Sequence, residues 1–79
     1  MKKITTVKEF YDAIGEIARE IGQDYWSVKV QLNTHCVTEY TAYINGYNYT
    51  DGRMTPEEAV QLMRYMVLPL EAVNHDINL

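Results

Sequence analysis

The first amphipathic pattern lies near the start of the chain. Between Thr6 and Gly22, apolar residues recur at spacings of three and four, which places them on one face of a helix. These residues are Val7, Phe10, Tyr11, Ile14, Ile17, Ala18 and Ile21. Thr6 and Glu9 have the spacing of a capping box, and Gly22 suits the position after the helix C-cap. Gly15, in the middle, either allows a close approach to the sheet or is tolerated at ~1 kcal/mol.

Two later stretches alternate between apolar and polar residues, which is typical of half-buried strands. The first runs from Tyr25 to Asn33 and the second from about Thr38 to Ile44. Residues 33–36 are predicted to form the hairpin loop between them. On the second strand, Thr38, Tyr40, Ala42 and Ile44 share one side, and Glu39, Thr41 and Tyr43 share the other.

A third short strand is predicted after the dipeptide Asn45-Gly46, which is typical of a two-residue type I′ turn. Such a turn would place Ile44 opposite Tyr47 and Ala42 opposite Tyr49. A bulge within one longer strand also fits the pattern. The sequence therefore predicts two or three antiparallel strands.

The second helix has a clear beginning. Thr55 suits the N-cap and Pro56 the first helical position, and Glu58 completes a capping box. Its apolar stripe comprises Ala59, Leu62, Met63, Met66 and Val67. Pro69 predicts a stop or kink near Leu68. Residues 70–79 are expected to form a loosely packed C-terminal tail, with a short turn at 70–73 and fraying from Asn74.

These elements predict a single α+β domain spanning residues 1–79. Each helix has one apolar face and the strands have one apolar side, so the economical packing is a two-layer α-β-β-(β)-α fold. Both helices then lie on one face of a small antiparallel sheet. The opposite face of the sheet is left in water.

Composition narrows the classes of function. The 79-residue chain is 47% hydrophobic, carries a formal net charge of −4 and contains one cysteine, Cys36. A single cysteine forms no internal disulfide, which favours a reducing, cytoplasmic setting. The acidic balance argues against direct binding of nucleic acid or anionic membranes, and no segment is apolar enough to span a bilayer. A host protein or protein complex is the expected partner, and a free edge strand also permits a homodimer.

Three surfaces are candidates for binding that partner. Carboxylates at spacings of three and four follow the outer side of the first helix, at Glu9, Asp12, Glu16 and Glu20. The open sheet face carries Lys29, Gln31 and Tyr43. The tyrosine-rich hairpin adds Tyr47 and Tyr49. Each also has an ordinary structural interpretation: a solvated helix face, a polar sheet face, and tyrosines that fill a small core.

The sequence predicts no catalytic residue, metal site or cofactor. His35 and Cys36 are the residue types of a nucleophile and its base, but neighbouring residues on a strand face opposite sides. Two isolated histidines do not make a metal site, and the chain has no glycine loop of the kind that cradles phosphates.

The order helix, three strands, helix resembles that of a double-stranded-RNA-binding domain. In that family, lysines at the loop and start of the second helix grip phosphates. Here residues 51–58 read DGRMTPEE, with Glu57 and Glu58 where lysines belong. RNA binding by that route is therefore not expected.

The chain also resembles the small, acidic, single-domain accessory proteins of phages and mobile elements, anti-CRISPR proteins among them. The features are shortness, an acidic helix, a tyrosine-rich hairpin and no catalytic constellation. This resemblance implies a non-enzymatic inhibitor or adaptor that occupies a basic surface of a host nucleic-acid-handling complex. The alternative is a small-ligand or nucleotide-binding module that uses the tyrosine-rich hairpin.

Overall fold

The computed structural model describes residues 3–77, and their side chains as far as Val67. Its elements are α1 (Val7–Glu20), β1 (Trp26–Leu32), β2 (Thr38–Ile44), β3 (Tyr47–Asn48) and α2 (Pro56–Ile77). The strands form an antiparallel sheet in the order β1-β2-β3. Both helices pack on the sheet and on each other, which confirms the predicted α+β fold.

The helix ends follow the predicted capping signals. The Thr6 hydroxyl accepts a hydrogen bond from the Glu9 N–H at 3.1 Å, and the Thr55 hydroxyl accepts one from the Glu58 N–H at 3.1 Å. At the end of α1, Gly22 has a φ of +78°, and the Gln23 N–H donates to the Ala18 carbonyl at 2.8 Å. This is the left-handed ending that glycine permits without steric cost.

The predicted end of the second helix near Leu68 is wrong. Helix α2 continues through Pro69 to Ile77. A proline inside a helix removes one main-chain hydrogen bond and crowds the preceding turn, but the residues that follow it at 70–73 favour a continued helix. The predicted turn at 70–73 and the start of the predicted tail at Asn74 are therefore helical. The packing of 70–79 lies outside the described side chains, and residues 78 and 79 lie outside the described backbone.

The Asn45-Gly46 turn joins β2 to a separate third strand. Both residues have positive φ, 53° and 82°, as a type I′ turn requires. Ile44 pairs with Tyr47, as predicted. The predicted pairing of Ala42 with Tyr49 is absent from the ladder, since β3 ends at Asn48.

Beyond β3 the chain bulges away and then returns to β2. The hydroxyl of Thr50, which is fully buried, accepts the Ala42 N–H at 2.9 Å and so replaces a strand-to-strand bond. The chain rejoins the sheet at Arg53, whose N–H and C=O bond to Tyr40 at 3.1 and 2.7 Å. One side chain thus bridges the gap that the bulge leaves in the ladder.

Thr50→Val is expected to lower the free energy of unfolding by about 1–3 kcal/mol, because it leaves the buried Ala42 N–H without an acceptor. The matched control is Thr41→Val. Thr41 is also buried, but its hydroxyl makes no hydrogen bond to any group that the structure describes. Urea unfolding of both variants measures the difference. Equal losses would show that the Thr50 hydroxyl has no special role.

The core lies between the helices and the inner face of the sheet. Its buried residues come from both helices and from β2: Phe10, Ile14, Ile17, Ala18, Ala42, Ile44, Ala59, Val60, Met63 and Val67. Trp26, Val28 and Val30 of β1 pack against this cluster, whereas Leu32 at the end of the strand is 67% exposed. The predicted alternation on β1 is thus confirmed except at its last apolar residue.

Candidate protein-binding surfaces

A groove of about 350 Å³ lies where the start of α1 meets the first half of α2. It is lined by Lys3, Ile4, Glu9, Asp12, Ala13, Glu16, Val60 and Arg64. Three of these residues are apolar, three are carboxylates from one wall of α1, and two are basic. Three of the four predicted acidic residues therefore line a concave surface instead of a plain helix face.

The groove is held together by a bond between distant parts of the chain. The Ile4 N–H donates to the Glu57 carboxylate at 2.8 Å, which ties the segment before α1 to the first turn of α2. Glu57 also lies at the positive end of the α2 dipole, where a carboxylate is stabilised. The sequence identified Glu57 only as part of a helix start.

Each of the four predicted carboxylates on the outer side of α1 already has a partner within the protein. Asp12 pairs with Lys8 at 3.0 Å, and Arg64 of α2 lies 3.7 Å from Glu16 and 3.6 Å from Glu20. The Glu9 carboxylate accepts from the hydroxyls of Thr5 and Thr6 at 2.7 and 3.0 Å.

These ion pairs are exposed to solvent, and such pairs contribute only ~0–1 kcal/mol each. They can therefore be exchanged for a stronger partner at little cost. Sequence spacing located the carboxylates but not Arg64, because that pairing depends on how the two helices dock.

The open sheet face is polar and lies opposite the helices. Lys29 and Gln31 are exposed, whereas Tyr43 is only half-exposed. Across the strands Lys29 pairs with Thr41 and Gln31 with Glu39. The residues of the other sheet face pack against the core, so these residues lie away from the helix layer as predicted. They line neither the α1–α2 groove nor the groove beside α2, and no ion pair among the described side chains involves them.

The hairpin tyrosines do not share a surface. Tyr40 packs edge-on against Phe10, with the ring centroids 5.7 Å apart, and Tyr49 packs against the core. Tyr43 belongs to the open sheet face, and Tyr47 is 65% exposed at the hairpin. None of them lines the α1–α2 groove or a second groove beside α2, formed by Arg53, Glu58, Gln61, Leu62 and Tyr65.

Trp26 is held on the flank of α1 that faces away from α2. Its ring packs on Gly15, between the Tyr11 ring at 5.6 Å and the Arg19 guanidinium at 5.6 Å. A Cβ atom on Gly15 would lie 2.7 Å from the indole carbons. Gly15 therefore allows α1 to approach the sheet closely, which is one of the two interpretations that the sequence permitted.

His35 and Cys36, the residues considered as a nucleophile and its base, line neither groove. His35 and Cys36 lie in the loop between β1 and β2, where Cys36 is exposed and has a φ of 59°. Among the described residues, no three His, Cys, Asp or Glu side chains gather as metal ligands. Over the same residues, no helix combines the length and the apolar character that crossing a bilayer requires.

No protein-family model matches the chain, and comparisons with curated proteins and with solved structures also return no match. The resemblances to double-stranded-RNA-binding domains and to anti-CRISPR proteins stay predictions from the sequence.

Proposed function

We propose that this protein is a non-enzymatic binding protein whose α1–α2 groove receives a basic segment of a larger protein. The observation that supports it is the groove itself, where Glu9, Asp12 and Glu16 line one wall and Ile4 and Val60 add apolar surface. An arginine or lysine has an aliphatic stem that suits apolar surface and a charged head that suits carboxylates.

The partner class follows from the same chemistry. Surfaces rich in lysine and arginine are typical of proteins that contact nucleic-acid phosphates. A protein with a net charge of −4 that occupies such a surface competes with the nucleic acid. We therefore propose an inhibitor or adaptor of a nucleic-acid-handling complex in the cytoplasm, of the anti-defence type that the sequence suggested. The nucleotide-binding alternative has less support, because the hairpin tyrosines lie on different surfaces.

The test compares three immobilised baits in lysates of candidate host cells. Glu16→Lys should lose a salt-sensitive partner that the unaltered protein captures, with affinity reduced roughly 3- to 30-fold. Asp24→Lys is the matched control, because it makes the same change of charge at an exposed loop residue outside the groove. Quantitative mass spectrometry measures how much of each protein the three baits capture. Equal capture by all three baits, or no capture, would contradict the proposal.

Arg64→Gln is expected to act in the opposite direction. Arg64 lines the groove and pairs with Glu16 and Glu20, so it competes with any incoming basic side chain. Its replacement should raise affinity for a basic partner roughly 2- to 5-fold. Titration calorimetry against the captured partner measures this. A loss of affinity would show that Arg64 itself contacts the partner, and that the site does not select basic groups.

A further inference from the structure

The two edges of the sheet differ in their ability to accept another strand. On one side, β3 has only two residues and is followed by the Thr50 bulge. On the other side, β1 has seven residues, and within residues 3–77 no strand pairs with its outer edge. Short and bulged edges resist further pairing, whereas a long regular edge is a template for it.

The register shows which main-chain groups β1 presents. Tyr40 bonds to Arg53 on the far side of β2, so Tyr40, Ala42 and Ile44 direct their main-chain groups away from β1. The alternate residues of β2, 39, 41 and 43, then bond to Gln31, Lys29 and Ser27. The remaining residues of β1 point their N–H and C=O groups outward: Trp26, Val28, Val30 and Leu32.

Helix α1 lies on the inner face of the sheet, and its outer flank contacts β1. Trp26 reaches the flank of α1 formed by Tyr11, Gly15 and Arg19, and α1 also contacts β2. Helix α1 therefore packs over the inner face of the sheet, across both β1 and β2. Leu32, beyond the start of α1, is 67% exposed on the same inner side of the sheet.

We propose that β1 pairs with β1 of a second copy, antiparallel and centred on Val30, to form a continuous six-stranded sheet. In this register Leu32 lies opposite Val28 of the second copy, and Lys29 lies opposite Gln31. Each pair occurs twice because of the two-fold axis. Both Leu32 residues would gain an apolar neighbour on the inner side.

The sequence and the bounds of β1 argue against three other registers. Centring on Gln31 would pair only residues 30–32 within β1, whereas the proposed register pairs residues 28–32. Centring on Lys29 would place two lysines directly opposite each other, which destabilises a strand pair. Centring on Val28 would place Leu32 opposite Asp24 and leave it without an apolar partner. The strand is therefore self-complementary in one register, which favours a second copy over an unrelated strand.

This proposal is independent of the proposed function. The groove residues Asp12 and Glu16 occupy the α2 side of α1, whereas Tyr11 and Gly15 occupy the β1 side. The dimer leaves both grooves accessible, so that failure of either proposal does not affect the other. If both hold, the dimer presents two acidic grooves and binds a repeated basic surface with added avidity.

The experiment is sedimentation equilibrium of the full chain up to millimolar concentration, with two variants of the exposed residue Gln31. Gln31→Glu creates two Lys29–Glu pairs across the axis and should tighten the dimer roughly 2- to 30-fold. Gln31→Lys creates two like-charged pairs and should weaken it by a similar factor. Circular dichroism checks that both variants keep the fold.

Ser27→Glu serves as the control for register. In the Val30 register residue 27 lies opposite Asn33, so this variant should change the dimer constant by less than about twofold. Tightening by Ser27→Glu with no effect of Gln31→Glu would overturn the register. A monomer at every concentration, or equal effects of the two Gln31 variants, would overturn the proposal as a whole.

Discussion

Phe10→Ala is expected to lower the free energy of unfolding by about 3–5 kcal/mol. Phe10 is fully buried, joins α1 to the sheet and packs edge-on against Tyr40. At about 0.05–0.15 kcal/mol per residue, a 79-residue domain has a total stability of only about 4–12 kcal/mol. The variant should therefore lose between about a quarter and all of this stability, as measured by urea denaturation and near-ultraviolet circular dichroism.

The matched control is Val7→Ala, one turn earlier on α1. The sequence places Val7 on the same apolar face as Phe10, but Val7 is 53% exposed. Its truncation should change stability by no more than about 0.5 kcal/mol. Comparable losses from the two variants would mean that α1 packs on the sheet differently from the arrangement described.

Gly15→Ala is expected to destabilise the protein by up to about 2 kcal/mol net, against the usual trend for helices. Alanine is favoured over glycine by ~1 kcal/mol in a helix interior. Here the added Cβ would lie 2.7 Å from the indole ring of Trp26, and the ring must shift to make room. Overpacking of this kind typically costs 1–3 kcal/mol. Thermal unfolding followed by circular dichroism measures the net effect.

A double-mutant cycle separates the clash from a general effect on α1. With Trp26→Leu in place the indole is gone, and Gly15→Ala should become neutral or stabilising by up to ~1 kcal/mol. If Gly15→Ala costs the same in both backgrounds, the close contact between α1 and β1 is not its cause.

Local signals in the sequence were sufficient for most of the fold. The residues that cap α1 and α2 lie within three positions of the groups they bond, and the Asn45-Gly46 turn is defined by two adjacent residues. Alternation on β1 and β2 is equally local. Such patterns establish which side of each element is apolar, and only one layered packing buries all of those sides.

Pro69 shows where a local rule is not sufficient. A proline ends many helices because it loses a hydrogen bond, but the loss of about 3 kcal/mol can be offset by good helix formers on both sides. Leu70, Glu71 and Ala72 are such residues, and α2 continues past them to Ile77. The sequence thus contains a proline that disfavours the helix and neighbours that favour it, and it does not show which effect is larger.

The sequence predicted the carboxylates of the candidate site but not the groove itself, because the shape of the groove depends on how separate elements dock. Helical spacing correctly aligned Asp12 and Glu16 on α1. It did not predict that Arg64 would face them, or that Ile4 would bond to Glu57 and close the groove. These contacts join residues far apart in the chain, and no periodic pattern encodes them.

The most direct test of the proposed binding site is an NMR titration of the labelled protein with an arginine-rich peptide. The α1–α2 groove predicts salt-sensitive shifts concentrated at the amides of Asp12, Ala13, Glu16, Val60 and Arg64, and their loss in Glu16→Lys but not in Asp24→Lys. Shifts concentrated at Lys29, Gln31 and Tyr43 would move binding to the open sheet face. That result, or no shifts at millimolar peptide, would contradict a basic-segment site between the helices.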